Sequence, residues 1–379
     1  MEDIESHLQQ THNDRQKDNP LGECPRIEPV SAPEMEMETT EPTWKEMKEI
    51  VKQARSGSAP GPNGIPYKVY NMCPLILRRL WSLSRVVWRK GKIPSCWQVA
   101  EGIFTPKEKD GKYITQFRTI SLLNMEGTIF YSVLAKRLTK FMTDNNYVDT
   151  SVQKGWISGF CGCVEHTSAL DPNREARIRN GDLTLVWLDL ANAYGSIPHQ
   201  LISVALEHYH IPDQAQKLVK SYFSDIRLRF TVENKTTRWQ NVEKGIVKGC
   251  TISMGLFVMG MNLIIRAAER ETRGPKTASG IRLPANRGFM DDLTISTESH
   301  SSTLDSTVTR RHCILGTHEI QAQQVQMLDH QERISHRQVP STHTRGHPVT
   351  EKTPDKVPRQ VVWWKPEGPQ QSQSTSSTG

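Results

Sequence analysis

Residues 183–189, LTLVWLD, form a β-branched and aromatic run that ends in a carboxylate, Asp189. Far along the chain a second apolar stretch, Gly288-Phe-Met-Asp291-Asp292-Leu-Thr-Ile-Ser, carries two more. The first reads as a buried strand, and the second as a hairpin whose tight turn holds both carboxylates. A carboxylate at the end of a buried strand is costly unless something neutralises it. Asp also serves as a turn or cap residue after a strand, and turn chemistry alone favours Asp-Asp. Adjacent like charges beside a buried third, however, repel one another unless divalent cations sit between them. Three carboxylates are what two Mg²⁺ ions need for in-line phosphoryl or nucleotidyl transfer, with the metals about 3.5–4 Å apart.

The remainder of the chain limits the partners. Of 379 residues, 36% are hydrophobic, against roughly 45–50% in ordinary globular chains, so part of the sequence is expected not to pack. Residues 1–42 hold 11 acidic side chains against 3 basic ones, which leaves 45 basic against 30 acidic over residues 43–379. The acidic leader, with its EPVSAPEMEMETTEP stretch, is expected to be disordered. The basic body favours a polyanion through counterion release, although basic surfaces also aid solubility. The longest near-apolar run, Met254 to Ile265 with Asn262 inside it, falls short of the roughly 18 residues that span a bilayer, so no membrane association is expected. The opening MEDIESHLQQ has no secretory character, and a location in the cytoplasm or nucleus follows as an expectation. Seven cysteines without CxxC pairs predict free thiols, and Cys161, Cys163 and His166 lack a fourth ligand for zinc.

Order is predicted to start at Thr43-Trp-Lys-Glu46, a capping box before a helix ending near Ser56. A Gly/Pro-dense loop, SAPGPNGIPY, leads to a second helix through LILRRLWSLSRVVWRK that stops at Gly91. GIFTPKEK and YITQFRTISLL predict a β-hairpin with a basic tip, followed by a helix through EGTIFYSVLAKRLTKFM. The Asp171-Pro172-Asn173 run then breaks what Arg174 to Arg179 would continue as helix. Ser253 reads as a cap for the apolar helix 254–265.

Taken in order, these segments resemble the reverse transcriptases of non-LTR (LINE-type) retrotransposons over about residues 56–298. SAPGPNGIPY resembles the family's opening loop, with Asn63 where Asp is usual. TPKEKDGKYITQFRTISLLNMEGTIFYSVLAKRL resembles the fingers motifs, with Thr119 for a common Pro. LDLANAYGSIPH resembles the first catalytic palm motif, GIVKGCTIS the template-primer motif, and FMDD the catalytic hairpin. The fold this implies is α+β: right-hand polymerase fingers and the start of the palm over residues 43–180, and the palm over 181–298 with an antiparallel sheet.

The resemblance also implies roles. Asp189 and Asp291 would hold two Mg²⁺ ions, or Mn²⁺, with the Leu190 carbonyl as a further ligand and Asp292 supporting the hairpin. Tyr194 stands at the aromatic position whose ring would exclude a ribose 2′-hydroxyl. Lys107 and Arg118 match the basic positions that grip the incoming deoxynucleoside triphosphate, and Gly249 the glycine that lets backbone approach the templating base. Lys248 stands where Gln is usual, and Met254-Gly255 where Pro is. The partners implied are an RNA template and a DNA primer. An intron-encoded maturase shares the palm but should carry a basic RNA-binding domain downstream. A catalytically inactive remnant or a nucleic-acid-binding fragment is the alternative to an RNA-directed DNA polymerase.

After Phe289 the chain has no Phe or Tyr, and from Ser301 it holds ten Gln and six His before ending in QQSQSTSSTG. Residues 299–379 therefore read as a low-complexity tail in place of the family's thumb, and no endonuclease segment is visible. With suitable codons, Glu319 to Arg333 read one base later can give RFKPNKSRCWTIRKG, which resembles the family's missing basic motif. A change of frame or mis-predicted exon between Glu298 and Glu319 is the expectation.

Overall fold

The structure, a computed structural model, describes residues 2–21, 27–55, 57–107, 109, 111, 113–156, 183–189, 192–232, 234–270, 272–277, 279–297 and 362–364. Five helices, α1 (Glu2–His12), α2 (Trp44–Gln53), α3 (Tyr67–Met72), α4 (Pro74–Lys90) and α5 (Met125–Asp144), precede the strand Leu183–Asp189 in the chain, with α2 packed on α3, α4 and α5. The predicted capping box is present at α2: the Thr43 hydroxyl accepts from Glu46 N at 3.2 Å, and the Glu46 carboxylate accepts from Thr43 N at 2.7 Å. Such a cap is worth about 1 kcal/mol. α4 begins on a proline and ends where Gly91 takes φ 62, the left-handed conformation that glycine adopts without strain.

In the first sheet, β1 (Val99–Pro106) runs antiparallel to β2 (Phe117–Leu123), with Ala100 opposite Leu123, as the hairpin reading predicts. Less expected is β4 (Arg227–Val232), which lies parallel to β1 from the register Val99 opposite Arg227. The short β5 (Lys235–Thr236) and β6 (Gln240–Asn241) extend β4. The second sheet has the order β7 (Asn286–Phe289), β8 (Asp292–Thr297), β3 (Leu183–Asp189) and β9 (Val362–Trp364), all neighbours antiparallel.

After β3 come α6 (Ala193–Ser196), α7 (His199–His208), α8 (Asp213–Phe223) and, beyond β6, α9 (Ser253–Glu269). α9 is apolar on nearly every face and is accordingly buried, packing on α7, α5 and β7. Aromatic contacts continue the core: Trp97 on Phe130 at 5.4 Å, Phe130 on Tyr131 at 6.0 Å and Tyr131 on Tyr222 at 4.7 Å between ring centres. The mixed α+β class is as expected.

Three expectations are corrected. The acidic leader is largely ordered. α1 has Glu2, Asp3 and Glu5 in its first turn, which suits the helix dipole. Leu8 and Met37 are buried in the main core, with Ile4, Leu21, Ile27 and Val30 packed against it. The body's polar side chains take up leader carbonyls: Trp88 Nε1 donates to Thr39 O and Trp81 Nε1 to Pro42 O, both at 2.8 Å, and the Tyr147 hydroxyl to Ser31 O at 2.9 Å. Ion pairs of Glu41 with Arg85 and Arg89, and of Glu28 with Arg270, join the acidic leader to the basic body. Such partly exposed pairs contribute about 0–1 kcal/mol each, so burial and backbone hydrogen bonds hold the leader. Second, Ser253 is the first residue of α9, with Ile252 at the cap position, and makes no capping bond. Third, the tail contributes Val362–Trp364 to the edge of β3, a β-branched and aromatic run that suits a strand.

Candidate active site

The carboxylate positions converge on one end of the second sheet. In the β3–β8 ladder Leu188 faces Leu293 and Asp189 faces Asp292, and on the other side of β8 Phe289 faces Asp292. Met290 and Asp291 form the two-residue turn between β7 and β8, Met290 in the left-handed region at φ 57. The tight turn predicted from the sequence thus carries Asp291, and Asp292 opens the next strand. Asp291 is half-buried and Asp292 exposed. Among the described side chains no three His, Cys, Asp or Glu residues gather as a ready metal cluster. Asp189 is fixed by its backbone register. An all-carboxylate donor set at adjoining backbone positions suits hard divalent cations such as Mg²⁺ or Mn²⁺.

Tyr194 lies in α6, just beyond β3. Its ring stacks on Phe257 of α9, with centres 4.5 Å apart and planes within 6°. Burial pushes its hydroxyl pKa up, and the nearby charge of Asp291 pushes it the same way. The loop before α9 is stitched to this segment: Ile246 N donates to Tyr194 O and Gly245 N to Ile197 O, both at 2.7 Å. Gly245, at φ 84, is held so close to Gly195 that a Cβ there would lie 2.7 Å from its backbone.

The basic residues face the same place. Lys107, just past β1, and Arg118, near the start of β2, lie at the loop end of the β1–β2 hairpin, where Lys107 N donates to Gln116 O at 2.8 Å and Arg118 faces Thr105. Both side chains are exposed. Lys248 Nζ donates to Asn192 Oδ1 at 3.2 Å. Its pKa is lowered by burial; attraction to Asp291 opposes that effect, and the like charges of Lys107 and Arg118 add to it. One electrostatic neighbourhood therefore contains Asp291, Lys248, Lys107 and Arg118. Gly249, at φ 121, presses against β2: Ser121 N donates to Lys248 O at 2.7 Å, and a Cβ on Gly249 would lie 2.2 Å from Ser121 O. Its contact is thus with the protein's own first sheet.

Sequence reasoning missed three contributors. Phe257 backs Tyr194 from a helix that reads only as apolar. Asn192, at φ 50, holds Lys248. Gln153, only 1% exposed, sits under the Asp291 turn. The left-handed tolerance of Asn was the available signal for Asn192. Leu190, the Asp171–Asn173 interruption, the Cys161, Cys163 and His166 group and the proposed change of frame lie outside the described residues.

The fold and site define an α+β protein whose antiparallel sheet brings carboxylate positions together beside a basic cluster. Residues 105–325, more than half the chain, match the family described as reverse transcriptase (RNA-dependent DNA polymerase). The chain belongs to that family. It is 25% identical over 246 residues to the Retrovirus-related Pol polyprotein from type-1 retrotransposable element R2 of Nasonia vitripennis, covering 65% of this chain and 22% of that protein. It is also 25% identical over 225 residues to the polyprotein of the same description from Bradysia coprophila, covering 59% and 25% respectively. These relatives bear out the resemblance to non-LTR reverse transcriptases. The chain spans about a quarter of their length or less. No helix among the described residues is long and apolar enough to cross a membrane.

Proposed function

We propose that the chain is an RNA-directed DNA polymerase fragment of a non-LTR retrotransposon, extending a DNA primer on an RNA template from deoxynucleoside triphosphates. The observation that carries this is the register of Asp189 against Asp292, with Asp291 at the adjoining turn and Lys248, Lys107 and Arg118 in the same electrostatic neighbourhood. In this reading the second sheet acts as the palm and the β1–β2 hairpin as part of the fingers.

Asp189 and Asp291 would hold Mg²⁺ or Mn²⁺, with Asp292 supporting the turn. When bound, the metal supplies charge neutralisation at the triphosphate and a lowered pKa at the primer 3′-hydroxyl. The chain's own residues position the reactants. Arg118 offers a bidentate fork to phosphate oxygens, and Lys107 a compact point charge. Tyr194, braced flat against Phe257, presents a wall where a 2′-hydroxyl would lie. Holding reactants in line and stabilising charge account for most of the catalysis in such transfers.

The test is primer extension by the full chain on a poly-rA template with an oligo-dT primer, dTTP and Mg²⁺, beside a salt titration of binding to the same duplex. Template-dependent extension, with affinity that falls as salt rises, supports the reading. Salt-dependent binding without extension at any divalent ion concentration would instead favour a nucleic-acid-binding fragment.

A further inference from the structure

The turn that carries Asp291 is built on a segment well over a hundred residues earlier in the chain. Val152, Gln153 and Lys154 run alongside β7: Gly288 N donates to Val152 O at 2.7 Å, Lys154 N donates to Gly288 O at 3.2 Å, and Gln153 bridges Gly288 in a parallel sense. The Gln153 carboxamide, buried beneath the turn, accepts two backbone hydrogen bonds on Oε1, from Met290 N at 3.1 Å and from Gly155 N at 2.8 Å. Its Nε2 has no hydrogen-bond partner among the described residues.

Met290 requires such support. It is a non-glycine residue at φ 57, a conformation that persists only where the surroundings impose it. Gly155 makes the approach possible, since a Cβ there would lie 2.5 Å from Met290 Sδ and 2.8 Å from Met290 N. With the Met290 amide anchored, the next residue, Asp291, has little freedom. Without the anchor, the amide would be a part-buried donor left unsatisfied in a strained turn.

We propose that Gln153 is the positioning residue for Asp291: through the Met290 amide it fixes the turn so that the Asp291 carboxylate meets its cation and the substrate in one geometry. The inference rests on the polymerase reading for the cation and the substrate, but the anchoring of the turn stands apart from it. The acceptor oxygen carries the role. Gln153→Glu, whose carboxyl burial beside Asp291 holds as the neutral acid, keeps an acceptor oxygen and gives up an amide nitrogen that bonds nothing described, whereas Gln153→Leu keeps the bulk and deletes the acceptor.

Three readouts on the full-length protein separate the possibilities. The first is amide hydrogen exchange at Met290 and Gly155, which needs no activity. Gln153→Leu should lose at least ten-fold of the protection there, and Gln153→Glu should keep it. The second is Mn²⁺ binding followed by electron paramagnetic resonance, expected to weaken about ten-fold in Gln153→Leu alone. The third is steady-state primer extension, in which Gln153→Leu should lower kcat at least ten-fold with the KM for dTTP within two-fold, and Gln153→Glu should restore kcat. Wild-type exchange and Mn²⁺ affinity in Gln153→Leu would overturn the proposal, as would equal losses in both variants at unchanged unfolding temperature. Altered exchange in a protein that neither binds Mn²⁺ nor extends primers, even as wild type, would sink the polymerase reading while leaving the anchor in place.

Discussion

Asp189, the last residue of β3, stands directly across the ladder from Asp292, the first residue of β8. Because Asp291 in the turn immediately precedes Asp292, three carboxylate positions meet at one end of the second sheet. None of them depends on a long loop. Carboxylates on rigid elements keep their spacing, which a site for cations needs more than it needs stability.

Tyr194 is braced by Phe257, so the exclusion of ribonucleotides proposed for it should depend on both rings. Tyr194→Ala should raise incorporation of UTP relative to dTTP at least ten-fold on poly-rA, and Phe257→Ala should raise it less, by letting the Tyr194 ring tilt. Competition assays with the two nucleotides read the ratio directly. An unchanged ratio in Tyr194→Ala would remove the gate assignment.

Gly249 cannot accept a side chain. A Cβ would both meet Ser121 O and occupy a positive φ, and each effect alone costs about 1–3 kcal/mol. Gly249→Ala should therefore break the Ser121–Lys248 backbone bond and release Lys248 from Asn192. Activity should fall by more than ten-fold at a temperature where circular dichroism shows the protein still folded.

How much of this could be read in the sequence follows from how local each signal is. The Thr43–Glu46 capping box, the stop at Gly91, the β1–β2 hairpin and the tight turn that carries Asp291 are each encoded within a few residues, and each stands in the structure. The leader was illegible because its apolar residues, Leu8 and Met37 among them, are spaced singly and its carbonyls at Ser31, Thr39 and Pro42 meet side chains far along the chain. No periodicity records such contacts. Gln153 is invisible for the same reason, as its partner Met290 lies 137 residues away.

Arg137 ties the leader to the body. It is nearly buried, donates Nε and Nη2 to the two oxygens of Glu46 at 2.7 and 2.8 Å and Nη1 to Thr40 O at 2.5 Å, and lies 4.9 Å over the Trp88 ring. Arg137→Ala should cost about 3 kcal/mol, because it removes the cation paired with Glu46 and the donor to three leader carbonyls, those of Glu38, Thr40 and Glu41. Arg137→Lys should recover less than half, lacking the fork and the stacking. Urea unfolding followed by tryptophan fluorescence measures both.

Acid should release the N-terminal helix first. Burial lowers the His12 pKa to about 4 from its ordinary 6.5, and burial likewise takes His208 to about 4, with Arg266 adding to the effect. The folded protein therefore favours neutral imidazoles, while the unfolded chain takes up protons from about pH 6.5 downward. Stability is full above that value and declines as pH falls toward 4. Because His12 O accepts from Glu243 N and Lys244 N at 2.9 and 3.2 Å, loss of α1 should expose those amides. Hydrogen exchange at residues 243 and 244 should accelerate between pH 6.5 and 4 before exchange in α9 does. Simultaneous loss in both would refute the order.

The central claim is that the facing carboxylate positions carry nucleotidyl transfer, and single-turnover primer extension on poly-rA with dTTP and Mg²⁺ tests it most directly. Asp189→Ala and Asp291→Ala should each lower the extension rate at least a thousand-fold, about 4 kcal/mol of transition-state stabilisation, while the template-primer duplex binds within a few-fold of wild type. Extension persisting in both variants at near the wild-type rate would contradict the account.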